Sequence, residues 1–93
     1  MQASLTVDCT GISSEAEFWQ RYLDIVQPDG ASIFGRNLDA FWDAVEGGGP
    51  GHPGEVEVRF SNSAALSVLS NGRFLQGLRK IARDTSKPVI KLD

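Results

Sequence analysis

The sequence predicts an α/β fold, a small three-stranded parallel sheet with helices packed against it. Three segments read as short strands, near residues 5–9, 55–60 and 88–92. Each successive pair is separated by segments whose apolar residues recur at helical spacing, and strand, helical crossover, strand is the order that builds a parallel sheet with right-handed connections. A chain of 93 residues, 41% hydrophobic and 23% charged, fits one folded domain spanning residues 1–93 and is neither disordered nor membrane-like in composition.

Taken in order, Leu5-Thr6-Val7 with Cys9 alternates with a period of two and ends near Gly11. Ser14-Glu15-Ala16-Glu17 has capping-box spacing, and Phe18, Tyr22, Ile25 and Val26 follow at helical spacing with Trp19 on the same core-facing edge, which predicts a helix over 15–26. Gln27-Pro28-Asp29-Gly30-Ala31-Ser32 is turn chemistry and leads into an irregular loop before Gly35. A short helix follows over 35–46 with Asn37 as its cap. The run Gly47-Gly48-Gly49-Pro50-Gly51-His52-Pro53-Gly54 stops that helix and reads as a flexible surface connection.

Glu55-Val56-Glu57-Val58-Arg59-Phe60 alternates strictly, with valines and phenylalanine on one face and charges on the other. Buried parallel sheets seldom carry such a charged face, so part of this sheet is expected to stay wet. Ser61-Asn62-Ser63 offers caps for a short helix carrying Leu66 and Leu69, which Asn71-Gly72 ends. Phe74, Leu75, Leu78, Ile81 and Ala82 make an amphipathic helix to about Asp84, and Pro88-Val89-Ile90-Lys91-Leu92 closes the chain as the third strand.

The net charge of -3 disfavours nucleic acid as the direct ligand, since phosphate binding asks for a basic footprint. A basic partner is more natural. Apolar runs of only a few residues give no membrane span, and the amino terminus lacks the pattern of a signal peptide, so a cytoplasmic location is expected. Cys9 is the single cysteine, which excludes an internal disulfide and a multi-cysteine zinc site. It reads as a buried, inert thiol. His52 has no ligand or triad partner nearby in its Gly and Pro loop, and Gly47-Gly48-Gly49 lacks the Lys and Ser or Thr of a phosphate loop. No metal or cofactor is implied.

The helix over 35–46 carries the functional signal. Turning each residue by about 100° from Leu38 puts Leu38, Phe41 and Val45 on one apolar face, and gathers Asp39, Asp43 and Glu46 in an arc of about 60° beside it, with Trp42 on the border. Asp39 and Asp43 form an i,i+4 like-charge pair that costs a few tenths of a kcal/mol, on the order of a surface pair, and only Asp39 lies where the helix dipole favours it. Local stability does not account for the stripe.

Gly35-Arg36-Asn37-Leu38-Asp39-Ala40-Phe41-Trp42-Asp43-Ala44-Val45 closely resembles the signature helix of the barstar family, protein inhibitors of barnase-type guanyl-specific ribonucleases. The family pattern is an aromatic and Gly, one variable residue, then Asn-Leu-Asp-Ala-Leu-Trp-Asp, met here with Phe41 replacing Leu. The element order also resembles the barstar fold. The resemblance implies that this helix and the loop before it plug the active site of a secreted microbial ribonuclease in a 1:1 complex, with carboxylates standing in for substrate phosphates. It further implies that Asp39 and Asp43 are the inhibitory aspartates and Trp42 the adjacent tryptophan. Asn37, Gly35 and the Ile33-Phe34 pair fall at the loop-helix junction. Asp43 is the first choice of anchor, and Glu46 joins the stripe by geometry alone.

This chain departs from the pattern at three places. Ile33-Phe34 stands where two tyrosines precede the glycine in the founding member, and an apolar wedge there replaces the hydroxyl contact. Lys80 falls where a glutamate of the last helix assists in some relatives, and Gly48 where a tryptophan is found. These differences leave open a second target class, an immunity protein of the same fold against a different nuclease or toxin. Another class of function treats Asp39 and Asp43 as a catalytic carboxylate pair or as ligands of a divalent cation. For Asn37 two roles stand, partner contact and simple N-cap.

Overall fold

A computed structural model describes residues 3–85 and 88–93. Three strands, β1 (Ala3–Asp8), β2 (Val56–Ser61) and β3 (Ile90–Leu92), form one parallel sheet in the order β1-β2-β3. Helices α1 (Glu15–Val26) and α2 (Leu38–Gly47) lie in the first crossover, with a 3-10 turn at Ala31–Ile33 between them. A 3-10 segment (Ser63–Gly72) and α3 (Arg73–Asp84) make the second. The expected α/β architecture is therefore present.

Alternation along the strands decides the two faces of the sheet. Val7, Val58, Phe60 and Ile90 are buried and join Phe18, Trp19 and Tyr22 of α1, Phe41 and Val45 of α2, and Phe74, Leu75, Leu78 and Ile81 of α3 in one core cluster. Aromatic rings dominate it. Trp19 packs edge-on against Phe18, Phe34 and Phe74 at centroid separations of 4.8, 5.4 and 5.8 Å, and such pairs add about 0.5–1.5 kcal/mol each to the gain from burial. Its Nε1 is buried with no hydrogen-bond partner among the described residues. Cys9 is fully buried at the end of β1, and desolvation pushes its thiol up to about 11.

The opposite face is polar, as the charged alternation of β2 requires. Glu57 pairs with Lys91 at 3.3 Å and with Arg59 at 3.3 Å, while Arg59 also reaches Asp93 at 2.7 Å. Ser4 donates to Glu57 as well, so the exposed face is laced across all three strands. Helices cover one face only.

Several local expectations need correction. Ile25 is 45% exposed, and Leu23 takes a buried place instead: with Leu23 in the stripe, the centre of the buried face of α1 lies roughly 90° round the helix from Ile25. The loop before Gly35 is partly ordered as the 3-10 turn. Helix α2 starts at Leu38, because Asn37 is extended (φ -151°) and Arg36 is left-handed (φ 53°). Gly47 is still helical, and Gly48 caps the helix at φ 73° with its N–H donating to the Ala44 carbonyl. The glycine-rich run is not a loose surface connection: Gly51 and Pro53 are buried, and Gly51 N–H donates to the Asp29 carbonyl at 2.9 Å. Tyr22 Oη donates to the Gly51 carbonyl at 2.7 Å.

Residues 63–72 form 3-10 turns broken by non-helical backbone at Leu69, Ser70 and Asn71 rather than one helix. Leu66 and Leu69 are nevertheless buried. Asn62 does not cap this segment with its side chain; it sits at φ 55° and its amide donates to Asp8 Oδ1. The third strand is shorter than the apolar run suggests, starting at Ile90.

Candidate functional site

Helix α2 presents its acids to solvent because of what its other side buries. Phe41, Ala44 and Val45 are inside, while Leu38 is half-buried. Including Ala44 moves the centre of the buried face away from Leu38, so the arc of Asp39, Asp43 and Glu46 lies opposite the core rather than beside it. Trp42 keeps its border position at 38% exposure.

Asn37 sets the start of the helix. Its Oδ1 accepts the Ala40 N–H at 2.7 Å and its Nδ2 donates to the Gly35 carbonyl at 3.1 Å, so both ends of the amide are used inside the chain. A Cβ on Gly35 would stand 3.0 Å from that of Ala40, which explains a glycine at this close approach. Phe34 is buried against Trp19 and Tyr22 and anchors the loop instead of facing outward. Ile33 is 71% exposed. The two neighbours thus divide the work: one fixes the loop, the other stands free as an apolar projection.

The carboxylates differ in their satisfaction. Asp8, Glu15, Glu17, Asp24, Glu46, Glu57, Asp84 and Asp93 each accept a hydrogen bond from a side chain or backbone group of the chain. Asp39 and Asp43 accept none and make no ion pair among the described residues. Glu46, grouped with them by helical angle, is instead the acceptor of the Thr85 hydroxyl at 3.1 Å, which ties α2 to the end of α3. Asp29 and Glu55 are likewise without a side-chain partner among the described residues, but each lies in a loop; within the stripe of α2, Asp39 and Asp43 keep open acceptor positions and Glu46 does not.

A groove of about 520 Å³ runs between α2 and α3. Leu38, Asp39 and Trp42 form one wall, and Gly77, Lys80, Ile81 and Asp84 the other. Gly77 permits the approach of the helices, since a Cβ there would lie 2.6 Å from Leu38 Cδ1. Asp43 is outside this lining, so only Asp39 of the two borders the groove. Asp84 was not singled out from the sequence, although its i,i+4 spacing from Lys80 places both on one face of α3. His52 serves its own loop, its Nδ1 accepting the Gly54 N–H at 2.9 Å. Among the described residues no three His, Cys, Asp or Glu side chains converge on a metal site, and no helix is long and apolar enough to cross a membrane.

A three-stranded parallel α/β scaffold thus holds, on the exposed side of α2, two carboxylates that have no partner among the described residues. The chain belongs to the barstar family: the family model described as Barstar (barnase inhibitor) matches residues 2–89. Proteins of this family are inhibitors of barnase-type ribonucleases and not enzymes. A search of curated proteins returns no match.

Proposed function

We propose that this chain inhibits a secreted guanyl-specific microbial ribonuclease by seating α2 and the loop before it in the active site, in a 1:1 complex formed in the producing cell's cytoplasm. The observation that carries this reading is the pair of exposed aspartates one turn apart on α2, neither with a partner among the described residues. A phosphodiester-cleaving site presents Arg, Lys and His to its substrate, and free carboxylates accept charge-assisted hydrogen bonds from those donors in place of phosphate oxygens. Exposed Trp42 on α2 and Ile33 in the loop before it supply apolar contact. Asn37, Gly35 and Phe34 hold the junction in shape, and Glu46 fixes α2 against α3.

Titration of barnase with the purified chain tests the proposal. RNA cleavage should fall to zero at one equivalent, and Asp43→Ala should weaken binding by more than about 2 kcal/mol, the threshold of an interface hot spot. The upper end of the measured hot-spot range comes from a barstar aspartate itself. Full inhibition by Asp43→Ala at one equivalent and unchanged affinity would remove its anchor role. A second reading, an immunity protein against another nuclease or toxin, draws support from Lys80 beside Asp39 and Trp42, a cation where a purely cationic partner would be repelled. Inhibition of a nuclease of that other class, with barnase untouched, would favour it.

A further inference from the structure

Lys80 has no role in the inhibitory reading of α2. It is exposed on the α3 wall of the groove, facing the wall formed by Asp39 and Trp42 and one helical turn before Asp84. Arg21, Arg59, Arg83 and Lys91 each make an ion pair, whereas Arg36, Arg73, Arg79 and Lys80 make none among the described residues, and of these four Lys80 is the one that lines the groove. Asp84 accepts from Arg83 Nε at 3.3 Å instead, and Lys preceding an acid at i,i+4 is the weaker orientation of such a pair. The groove is therefore lined by a cation that is still free to take an anion.

Docking decides which anion. Leu38, Ile81 and the bare Gly77 make the groove apolar between its charges, so a surface laid over it strips water from Lys80. A partner bringing only cations toward Asp39 and Asp43 would press like charge on the ammonium and leave it desolvated and unpaired, which lowers affinity and selects against that partner. We propose that the α2–α3 groove is a charge-selective part of the interface, and that it receives an acidic side chain, Asp or Glu, standing on the ribonuclease beside its cationic centre. Lys80 is then a specificity-determining residue, and the chain reads a plus-minus pattern in its target instead of positive charge alone. This inference rests on the inhibitory reading of α2.

Barnase is the probe, in a set of variants where each exposed residue around its active site is changed in turn to Glu and to Lys. Each variant is titrated with the wild-type chain, Lys80→Glu and Asp43→Ala. At one or more positions Glu should tighten wild-type binding at least tenfold relative to Lys, and Lys80→Glu should reverse that preference. Identical responses of wild type and Lys80→Glu at every position, with inhibition and sensitivity to Asp43→Ala intact, overturn the groove's role and leave the inhibitory reading standing. Failure of the wild-type chain to inhibit any variant overturns the inhibitory reading, and the groove proposal falls with it.

Discussion

Gly51 sits at φ 95°, and a Cβ built on it would lie 2.5 Å from Phe34 Cδ1, with Pro53 also buried in the same loop. Both the backbone and the space demand glycine. Gly51→Ala should cost about 2–4 kcal/mol, summing a strained left-handed alanine with overpacking against the ring, and a urea denaturation midpoint would report it. A loss under about 0.5 kcal/mol would mean that the Phe34 anchor yields freely. Composition alone reads the run 47–54 as flexible, because it shows glycines but not which one lies under an aromatic ring. Asp8 makes a second prediction. The Asn62 amide, then the Thr10 N–H and hydroxyl, hold its carboxyl down from 3.8 to about 2. The folded state binds this proton less readily than the unfolded state, so the contribution is present above the ordinary value and is lost as pH falls through about 2. Stability measured from pH 5 to pH 2 should therefore fall, and Asn62→Ala should flatten the acid limb. An unaltered slope in that variant would assign the shift to Thr10 alone. The sequence suggests Asn62 as a cap; its competing bond to Asp8, 54 positions away, has no signature in one dimension.

The limits of α1 agreed with the sequence because a Ser14 cap and an apolar stripe mark the same start, residue 15, and the stripe runs to 26. Helix α2 is legible for a similar reason, although the signature stretch begins three residues before the helix does. Asn37 separates the two: its side chain closes the first turn while Gly35 and Arg36 stay outside it. Asn37→Ala should cost about 1 kcal/mol, and Asn37→Ser, which keeps the acceptor, only a few tenths, on the order expected among good caps. If Asn37 is a cap and nothing more, Asn37→Ser also binds barnase as the wild type does; a large loss of affinity at wild-type stability would instead assign it a partner contact. The segment 63–72 resisted reading because short 3-10 turns and a broken helix share the same spacing of buried Leu66 and Leu69. The α2–α3 groove was likewise not legible, since it depends on how two helices meet. Its narrowest point gives a prediction at this scale. Ala in place of Gly77 improves an interior helix position by about 1 kcal/mol, and Leu38 Cδ1, the mobile end of a half-buried side chain, can move aside. Gly77→Ala should then hold or raise the denaturation midpoint, yet weaken binding to barnase because Leu38 is pushed within the groove it lines. Equal affinity would show that the groove stays outside the contact surface.

Across the whole molecule, charge is sorted by surface. The exposed sheet face neutralises itself through Glu57, Arg59, Lys91 and Asp93, while α3 carries exposed Arg73, Arg79, Lys80 and Arg83 and α2 carries the unpaired Asp39 and Asp43. Because the ladder on the sheet cancels locally, it adds little to the field far from the protein; Asp39 and Asp43 of α2 make no such ion pairs among the described residues. The net charge of -3 is small, so long-range attraction of a basic partner should arise mainly from this local asymmetry and not from the total. Screening separates the two contributions to binding. The Debye length falls from about 10 Å at 0.1 M salt to about 3 Å at 1 M, which removes steering between approaching surfaces but leaves close, water-excluded pairs largely intact. Association of the chain with barnase, followed by stopped-flow fluorescence, should slow by on the order of tenfold or more over that range, with a smaller change in dissociation. The barnase–barstar pair is itself an established case of such steering. What is particular to this chain is the sign at Lys80: if its ammonium meets a carboxylate, Lys80→Met should speed dissociation at every salt concentration. If it meets only cations, the same change should speed association most at low salt.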